Sequence, residues 1–336
     1  MLLGEIGEFG LIARIREIVA RQRGDVVLGI DDDTAAVRVG SEVLLLTTDA
    51  LIENVHFRFD YFEPSEVGWR LMAANLSDVA AMGGTPLFAL VALALPKTIP
   101  VEHVKGIYAG AVDLADRFGV AIVGGDTTGS PRDGFLSLTL VARAPDGCFA
   151  RRDRARPGDV LAVTGHLGGA QAGLNVLLGR GELDSASFPA VVERHKRPWP
   201  RVDEGKFLVH EMGVDCVIDV SDGLASEVGH LCRLSGTGAR VEAERVPLHP
   251  ETVRVAEHLG EDPLDYALHG GEDFELLFCV PAERWDALAA AWRERFETPL
   301  TRVGQIVDPA EGLTLVSPDG TQALTPRGWD HFRHES

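Results

Sequence analysis

The sequence predicts an α+β protein built from two mixed α/β domains. Its 336 residues exceed what one hydrophobic core usually serves, so two domains of comparable size are expected. Apolar strand-like runs and amphipathic helical runs alternate irregularly in both halves, which favours two α+β domains over a regular barrel or solenoid. A basic, loop-like run at residues 151–159 breaks this alternation. We therefore predict an N-terminal domain of residues 1–148 and a C-terminal domain of residues 149–336.

The N-terminal half is predicted to open with a helix and to continue with strands and two further helices. Apolar residues at three- and four-residue spacing predict an amphipathic helix from about Glu8 to Gln22. The next helices are expected at Ser65–Met82, with Ser65 as the N-cap, and at roughly Val101–Phe118. Apolar runs bounded by Gly, Pro or Asp predict strands at Val43–Thr48, Leu87–Leu95, Val120–Val123 and Phe135–Ala142.

The C-terminal half repeats the mixture of strands and helices and ends in a short β tail. Strands are predicted at Val160–Thr164, Val214–Ile218, Ala239–Ala243 and Phe274–Val280. Helices are predicted at Gly169–Leu178, Gly223–Ser235 and about Ala282–Phe296.

Composition and charge exclude several classes of protein. Hydrophobic residues make up 45% of the chain and charged residues 25%, as in an ordinary globular protein. The formal charge of −19 disfavours binding to nucleic acid or to an anionic membrane. The sequence lacks both an apolar run long enough to span a membrane and a secretory signal, so we expect a soluble, cytoplasmic protein. Its four cysteines lack CxxC spacing and are expected to be buried, reduced thiols.

Acidic residues gather where apolar strands of the N-terminal half give way to turns. The run Asp31-Asp32-Asp33 places three mutually repelling carboxylates together. Asp49 ends an apolar strand directly after Thr47 and Thr48, and hydroxyl and carboxylate oxygens are suitable ligands for hard cations such as Mg²⁺. Taken alone, either run also fits a solvated turn, so both interpretations stay open at this point.

Two further acidic positions lie on a predicted helix and beside a glycine pair. Asn75 and Asp78 share one helical face close to the apolar stripe, where an Asp needs a partner or a metal. Gly124-Gly125-Asp126 follows an apolar strand, and glycines let backbone N–H groups approach an anion while Asp126 holds a metal. The run matches neither a P-loop nor the GxGxxG dinucleotide pattern, which disfavours a Rossmann oxidoreductase.

The C-terminal half has the same arrangement. Asp219-Val220-Ser221-Asp222-Gly223 follows an apolar strand and precedes a helix, so Asp219 and Asp222 are candidate ligands of one ion. Ser221 or Asp222 equally fits a helix N-cap. The run Gly270–Glu275 places three acids in and beside a glycine turn, which also fits a solvated hairpin.

Recurrence of one arrangement favours a functional site, because carboxylates follow apolar strands beside glycine at five separate places. That much negative charge in one pocket requires several divalent ions.

These residues together resemble the thiamine-monophosphate kinases, a family within the superfamily of the aminoimidazole ribonucleotide and selenophosphate synthetases. The resemblance covers nearly the whole chain. Its motifs include Asp32-Asp33, Thr48-Asp49, His56-Phe57, Asn75–Gly83, Gly124–Thr128, Arg194–Pro198, Asp219–Leu224 and Gly270–Asp273. Asp31 departs from the family, which is expected to have Gly there, and this departure restricts the backbone and adds a carboxylate.

The resemblance implies a role for each matched position. Mg²⁺ ligation is implied for Asp33, Thr47, Thr48, Asp49, Asp78, Asp126, Asp219 and Asp222, of which Asp126 and Asp222 are the expected catalytic residues. Contacts with ATP are implied for Gly125, Asp126, Arg152 and Ser221, and contacts with thiamine phosphate for His56, Glu272 and Trp329. An indole or a carboxylate suits a cationic thiazolium ring.

The implied reaction is the transfer of the γ-phosphoryl group of ATP to thiamine monophosphate by direct in-line attack, with several Mg²⁺ ions. The implied assembly is a homodimer in which the N-terminal sheets pack together across a two-fold axis. Two alternatives stay open, namely another ATP-using synthetase of the superfamily and a non-catalytic nucleotide-binding regulator. Selenophosphate synthetases usually place a reactive Cys or selenocysteine near the N-terminus, whereas the first cysteine of this chain is Cys148.

Overall fold

The computed structural model describes residues 2–19, 23–328 and 331–332. In the first half, the chain forms α1 (Leu3–Val19), β1 (Val26–Leu28), β2 (Ala35–Val39), β3 (Glu42–Ile52), α2 (Pro64–Ala81), β4 (Thr85–Leu95), α3 (Val101–Arg117), β5 (Ala121–Gly129) and β6 (Phe135–Ala144). Within the described residues, these strands form a six-stranded sheet in the order β1-β2-β3-β6-β4-β5. The β4–β5 pair is parallel, and the other neighbours are antiparallel. Strand β5 therefore lies at an edge of this sheet.

The first sheet has one covered face and one exposed face. Leu136, Leu138 and Leu140 alternate along β6 and are fully buried on the side of α2, as the period of two in a strand requires. On the other side, Phe88, Leu90 and Val123 remain largely exposed. The sheet thus presents an apolar outward face that the described residues of this chain leave uncovered.

Helices α2 and α3 lie so close together that small residues are required at their contact. A Cβ atom on Gly68 would lie 1.7 Å from the carbonyl oxygen of Ile107. A Cβ atom on Gly110 would lie 1.7 Å from the carbonyl oxygen of Ser65. This packing fixes α2 on the inner face of the sheet, and α2 carries several of the site residues described below.

The second half forms a second sheet with helices packed on it. Its elements are β7 (Val160–Thr164), α4 (Gly169–Leu177), α5 (Pro189–Lys196), α6 (Val202–Lys206), β8 (Cys216–Asp219), α7 (Leu224–Ser235), β9 (Gly238–Glu242), α8 (Pro250–Leu259), α9 (Pro263–His269), β10 (Leu276–Val280), α10 (Trp285–Arg295), β11 (Leu300–Val307), β12 (Leu313–Ser317) and β13 (Gly320–Ala323). Over the ranges given above, the sheet has seven strands in the order β13-β12-β9-β11-β7-β10-β8. The two sheets and their helices confirm the predicted mixed α+β class.

The largest hydrophobic core runs from one half of the chain into the other. It joins residues of α2, such as Leu71 and Met72, to Phe207 and Leu208 of a π-helical turn that follows α6, and to Trp292 of α10. Apolar burial across this contact stabilises the pairing of the two halves. A site built from residues of both halves can therefore be held in fixed geometry.

Several predicted boundaries were wrong, and each error has a local cause. Helix α2 begins at Pro64 and has Glu63 as its N-cap, because the Glu66 carboxylate accepts the Glu63 N–H at 2.8 Å and Pro64 occupies the first helical position. Ser65 is therefore not the cap. The strand predicted to end at Val123 continues to Gly129 as β5, because it pairs with β4 along its length. The pattern also missed α5, α6, α8 and α9, which are short helices.

Within the described ranges, the helices lack the combination of length and apolar character that crossing a membrane requires.

Candidate functional site

Three acidic residues from distant parts of the sequence meet between the two halves of the chain. Asp33 lies in the turn between β1 and β2, Asp78 lies near the end of α2, and Asp219 ends β8. One carboxylate oxygen of each lies within 4.8 Å of one oxygen of the other two. Asp33 and Asp219 are buried, and Asp78 is half-buried. This spacing allows all three to contact one cation.

Strand β3 adds two oxygen-bearing side chains to this cluster. Thr47 and Asp49 alternate with the outward residues of the strand and therefore face α2. The Thr47 hydroxyl donates a hydrogen bond to Asp78, and the Asp49 carboxyl lies next to the Asp78 carboxyl. Asp33, Thr47, Asp49, Asp78 and Asp219 thus form one group, which we call the acidic cluster.

The electrostatics of the acidic cluster are unfavourable without a positive charge. Burial and the neighbouring Asp49 and Asp219 carboxylates raise the pKa of Asp78 well above its usual value. Burial and the Asp33 carboxylate do the same to the pKa of Asp219. The Asp33 Oδ2 atom is buried and has no hydrogen-bond partner within the described residues. An all-oxygen set with excess negative charge and a free ligand atom fits a hard divalent cation.

Arg152 supplies the positive charge next to the cluster. Its guanidinium Nη2 lies 2.5 Å from Asp33 Oδ1, and its backbone N–H donates to Asp32 Oδ2 at 3.2 Å. Burial acts to lower the pKa of Arg152, but the Asp33 carboxylate more than offsets this and raises that pKa. Arg152 therefore stays charged at the rim of the cluster. A fixed guanidinium in this position is suited to contact phosphate oxygens.

The loop that follows β8 is held by a residue that sequence analysis missed. The buried Glu227 carboxylate on α7 accepts the Asp222 N–H at 2.8 Å and lies 3.4 Å from the Ser221 hydroxyl. Burial and the Asp222 carboxylate raise the pKa of Glu227 to about 8. Burial raises the pKa of Asp222 to about 6. A Glu in the first turn of a helix is common, so its position in the sequence carries no signal of this role.

The structure does not place Thr48 and Asp126 with the acidic cluster. Thr48 projects from the outward face of β3, where its hydroxyl donates to the Leu138 carbonyl at 3.1 Å. Asp126 pairs with Ala92 in the β4–β5 ladder and is exposed on the same outward face. Gly125 is required beside it, because a Cβ atom there would lie 1.8 Å from the Val91 carbonyl oxygen.

The other end of the site contains His56 and Glu272. His56 follows β3, and its Nδ1 accepts the Ile52 N–H at 3.0 Å, which leaves the ring proton on Nε2. Burial lowers the pKa of His56, so the ring is neutral near neutral pH.

Glu272 is paired with a residue that sequence analysis missed. The buried guanidinium of Arg70 forms an ion pair with the Glu272 carboxylate. The rings of His56 and His331 lie 5.1 Å apart. Trp329 lies outside the described residues.

Comparison with known proteins identifies related chains. The model of the AIR synthase related protein N-terminal domain matches residues 31–144, and that of the C-terminal domain matches residues 156–315. A thiamine-monophosphate kinase of Aquifex aeolicus is 38% identical over 332 residues, covering 99% of this chain and all of the relative. That of Escherichia coli strain K12 is 36% identical over 330 residues, covering 97% of this chain and 98% of the relative.

A solved structure of AaThiL complexed with AMPPCP and TMP has the same fold. It superposes with a TM-score of 0.84 at 36% sequence identity, covering 98% of this chain and 99% of that one. The similarity extends over both sheets and over the contact between the two halves, where the acidic cluster lies. The chain therefore belongs to the thiamine-monophosphate kinase family.

Proposed function

We propose that this protein transfers the γ-phosphoryl group of ATP to thiamine monophosphate, giving thiamine diphosphate and ADP. The observation that carries the proposal is the acidic cluster, to which both halves of the chain contribute buried carboxylates. The full-length relatives named as thiamine-monophosphate kinases and the bound AMPPCP and TMP of AaThiL support this assignment.

The acidic cluster is the proposed binding site for Mg²⁺. The residues proposed to hold several ions are Asp33, Thr47, Asp49, Asp78 and Asp219 of the cluster, Asp222 in the loop after β8, and Thr48 and Asp126 on the outward face. Bound Mg²⁺ neutralises the phosphate groups and polarises the group that is transferred. Asp126 and Asp222 are the proposed catalytic residues because they follow, respectively, the Gly124-Gly125 pair and the β8 strand end.

ATP and thiamine monophosphate are proposed to enter from opposite ends of the site. Gly125, Asp126, Arg152 and Ser221 are the proposed contacts of ATP, and Arg152 offers a guanidinium beside the cluster. His56 and Glu272 are proposed to contact thiamine monophosphate together with Trp329. The neutral His56 ring presents an N–H donor, whereas the Glu272 carboxylate suits a cationic ring.

In the proposed reaction, an oxygen of the thiamine-bound phosphate attacks the γ-phosphorus in line. The bond from that phosphorus to the bridging oxygen of ATP breaks, and its electron pair leaves with ADP. The attacking phosphate is already ionised near neutral pH, so no side chain is assigned as a general base. The chain's own contribution is to orient the two phosphates and to keep them in contact with fixed positive charge.

We also propose that two copies of the chain pair through the outward face of the first sheet, as a homodimer. That face exposes Phe88, Leu90 and Val123, and among the described strands β5 leaves an unpaired edge beside them. Asp126 lies three strands from Thr48, about 14 Å at the usual strand spacing, so the two cannot share an ion within one chain. Pairing would cover the apolar face on which both lie. We further propose that the two domains divide between residues 148 and 149 and that the protein is cytoplasmic.

The test is a product assay with purified protein, ATP, Mg²⁺ and thiamine monophosphate. We expect thiamine diphosphate and ADP in equal amounts, with no product when Mg²⁺ is removed by EDTA. ADP formed without thiamine diphosphate would favour another ATP-using reaction of the superfamily. Binding of ATP with no turnover would favour the regulator.

A further inference from the structure

We infer that Arg70 is a positioning residue that fixes the Glu272 carboxylate for the acceptor substrate. The inference rests on the proposed function, because it concerns how the site holds thiamine monophosphate. Arg70 lies within α2, two helical turns before Asp78. Neither the sequence motifs nor the related proteins' names assign it a role.

The contacts of Arg70 join three parts of the site. Its Nη2 group donates to the Glu272 carboxylate, and its Nη1 group donates to the carbonyl oxygen of His195 at the end of α5. Only 1% of the side chain is exposed. The guanidinium also lies 5.7 Å from the ring centroid of Phe62. A cation buried to this extent is costly unless a carboxylate compensates it, and Glu272 is that carboxylate.

Glu272 is held by its backbone as well as by its side chain. Its φ of +70° is unusual for a residue with a side chain, so the surrounding structure must maintain this conformation. Its N–H donates to the Ser221 carbonyl oxygen at 2.7 Å, which ties it to the loop that also carries Asp222. Its side chain remains 32% exposed and so is accessible to a ligand. The ion pair uses Oε2 and leaves Oε1 for that ligand.

Helix α2 links this contact to the acidic cluster. Eight residues of α-helix separate Arg70 from Asp78, which corresponds to about 12 Å along the axis. Because α2 is packed tightly against α3 at Gly68 and Gly110, this separation is rigid. The helix therefore sets the distance between the cluster, where phosphates are proposed to bind, and the carboxylate that faces the cationic ring. Replacing Arg70 should therefore leave the Glu272 side chain without its fixed position and should not change the acidic cluster.

The experiment measures KM for each substrate separately in Arg70→Gln, Arg70→Lys, Glu272→Gln and the double variant Arg70→Gln/Glu272→Gln. We expect Arg70→Gln to raise KM for thiamine monophosphate at least tenfold while KM for ATP stays within twofold. A lysine keeps the charge but cannot donate in two fixed directions, so Arg70→Lys should recover only part of the loss. In the Glu272→Gln background, replacing Arg70 as well should change KM for thiamine monophosphate by less than a further twofold.

Arg117→Gln is the matched control, because this guanidinium on α3 lies over the Trp69 ring at 5.1 Å and pairs with Asp113 at the surface. It should leave both KM values unchanged. If Arg70→Gln does not fold, Arg70→Lys with and without Glu272→Gln gives the same comparison. Equal increases in both KM values, or effects that multiply in the double variant, would overturn the inference. A wild-type protein that forms no thiamine diphosphate would instead refute the proposed function.

Discussion

The carboxylates of Asp78 and Asp219 lie within 4.8 Å of each other although one belongs to α2 and the other ends β8 in the opposite half of the chain. Ser77 donates a hydrogen bond to Asp219 at 2.7 Å and so orients it towards its neighbour. Two carboxylates that are forced together away from water repel each other strongly unless a proton or a cation intervenes. This pair is therefore the part of the site most sensitive to divalent metal.

Replacing Asp219 by Asn should have opposite effects with and without metal. In EDTA, Asp219→Asn should raise the melting temperature, because it removes a repelling charge while the Asn oxygen can still accept from Ser77. Saturating Mg²⁺ at about 100 times its Kd should stabilise the wild type by roughly 3 kcal/mol. Mg²⁺ should stabilise the Asp219→Asn variant by clearly less than this.

Differential scanning calorimetry measures both effects. Asp319→Asn, in the turn between β12 and β13, is the control and should respond to Mg²⁺ like the wild type. A variant that gains as much from Mg²⁺ as the wild type would remove Asp219 from the set of metal ligands.

Replacing Asp126 by Ala should abolish transfer and leave the fold intact. Asp126 is exposed on β5, so its loss creates no cavity in the core. We expect kcat/KM to fall by more than about 100-fold, which corresponds to roughly 3 kcal/mol of transition-state stabilisation. Steady-state kinetics and far-UV circular dichroism check the two parts. Asp116→Ala, an exposed acid on α3, should keep full activity, and unchanged turnover in Asp126→Ala would refute this assignment.

Asp31 occupies a backbone conformation that favours glycine. Its φ is +109°, and its carboxylate pairs with Arg16 of α1 at the surface. Asp31→Gly and Asp31→Ala both lose this ion pair, so their difference isolates the backbone. We expect the Gly variant to be more stable than the Ala variant by about 1 kcal/mol, since strain of this kind costs of order 1–3 kcal/mol.

Urea denaturation of the two variants measures the difference. At Asp286, in the first turn of α10, the Ala variant should be more stable than the Gly variant, because Ala is the better helix former. An Asp31→Ala protein as stable as Asp31→Gly would mean that φ at this position relaxes freely.

Glu275 should give the protein a stability that is lost in acid. The Glu275 carboxylate is buried, and it lies 2.7 Å from Arg201 and 3.2 Å from Arg194. Burial raises its pKa, but these two guanidinium groups outweigh burial and lower the pKa to about 2 from 4.5. A lowered folded-state pKa means that the stabilisation is complete above the unfolded value and disappears as pH falls from there towards the folded value.

Glu275→Gln should therefore be less stable than the wild type by about 3 kcal/mol near neutral pH, because each pKa unit corresponds to about 1.4 kcal/mol. The gap should shrink to about half near pH 3. Denaturant titrations at both pH values measure it. The control Glu311→Gln breaks the exposed pair with Arg240 and should cost at most about 1 kcal/mol. If the stability difference between the wild type and Glu275→Gln did not change with pH, Glu275 would not be the charged partner of Arg194 and Arg201.

The acidic cluster was largely predictable because apolar runs are visible in the sequence, although β3, predicted to end at Thr48, continues through Asp49 to Ile52. Asp33, Asp49 and Asp219 follow apolar runs, and Asp78 sits beside an apolar helical stripe, so their unusual placement is a local property. The mixed α+β class was predictable for the same reason. Which of these acids meet depends on how the two halves pack, and that contact involves residues far apart in sequence.

Arg70 and Glu227 were not predictable from local patterns. An arginine or a glutamate within a helix usually lies at the surface, and the partners that bury these two come from distant segments. Asp126 was predicted to follow the strand because Gly124-Gly125 normally ends one, whereas pairing with β4 extends β5 through Asp126. Its position on the outward face follows from that extension and from the alternation of side chains along a strand.

Metal binding by the acidic cluster can be observed in an anomalous difference map from crystals grown with Mn²⁺ in place of Mg²⁺ and with a non-hydrolysable ATP analogue. We expect metal peaks within about 2.5 Å of carboxylate oxygens of Asp33, Asp78 and Asp219, next to the phosphates of the analogue. Metal bound only at other surfaces, or a cluster that stays empty at saturating Mn²⁺, would contradict it.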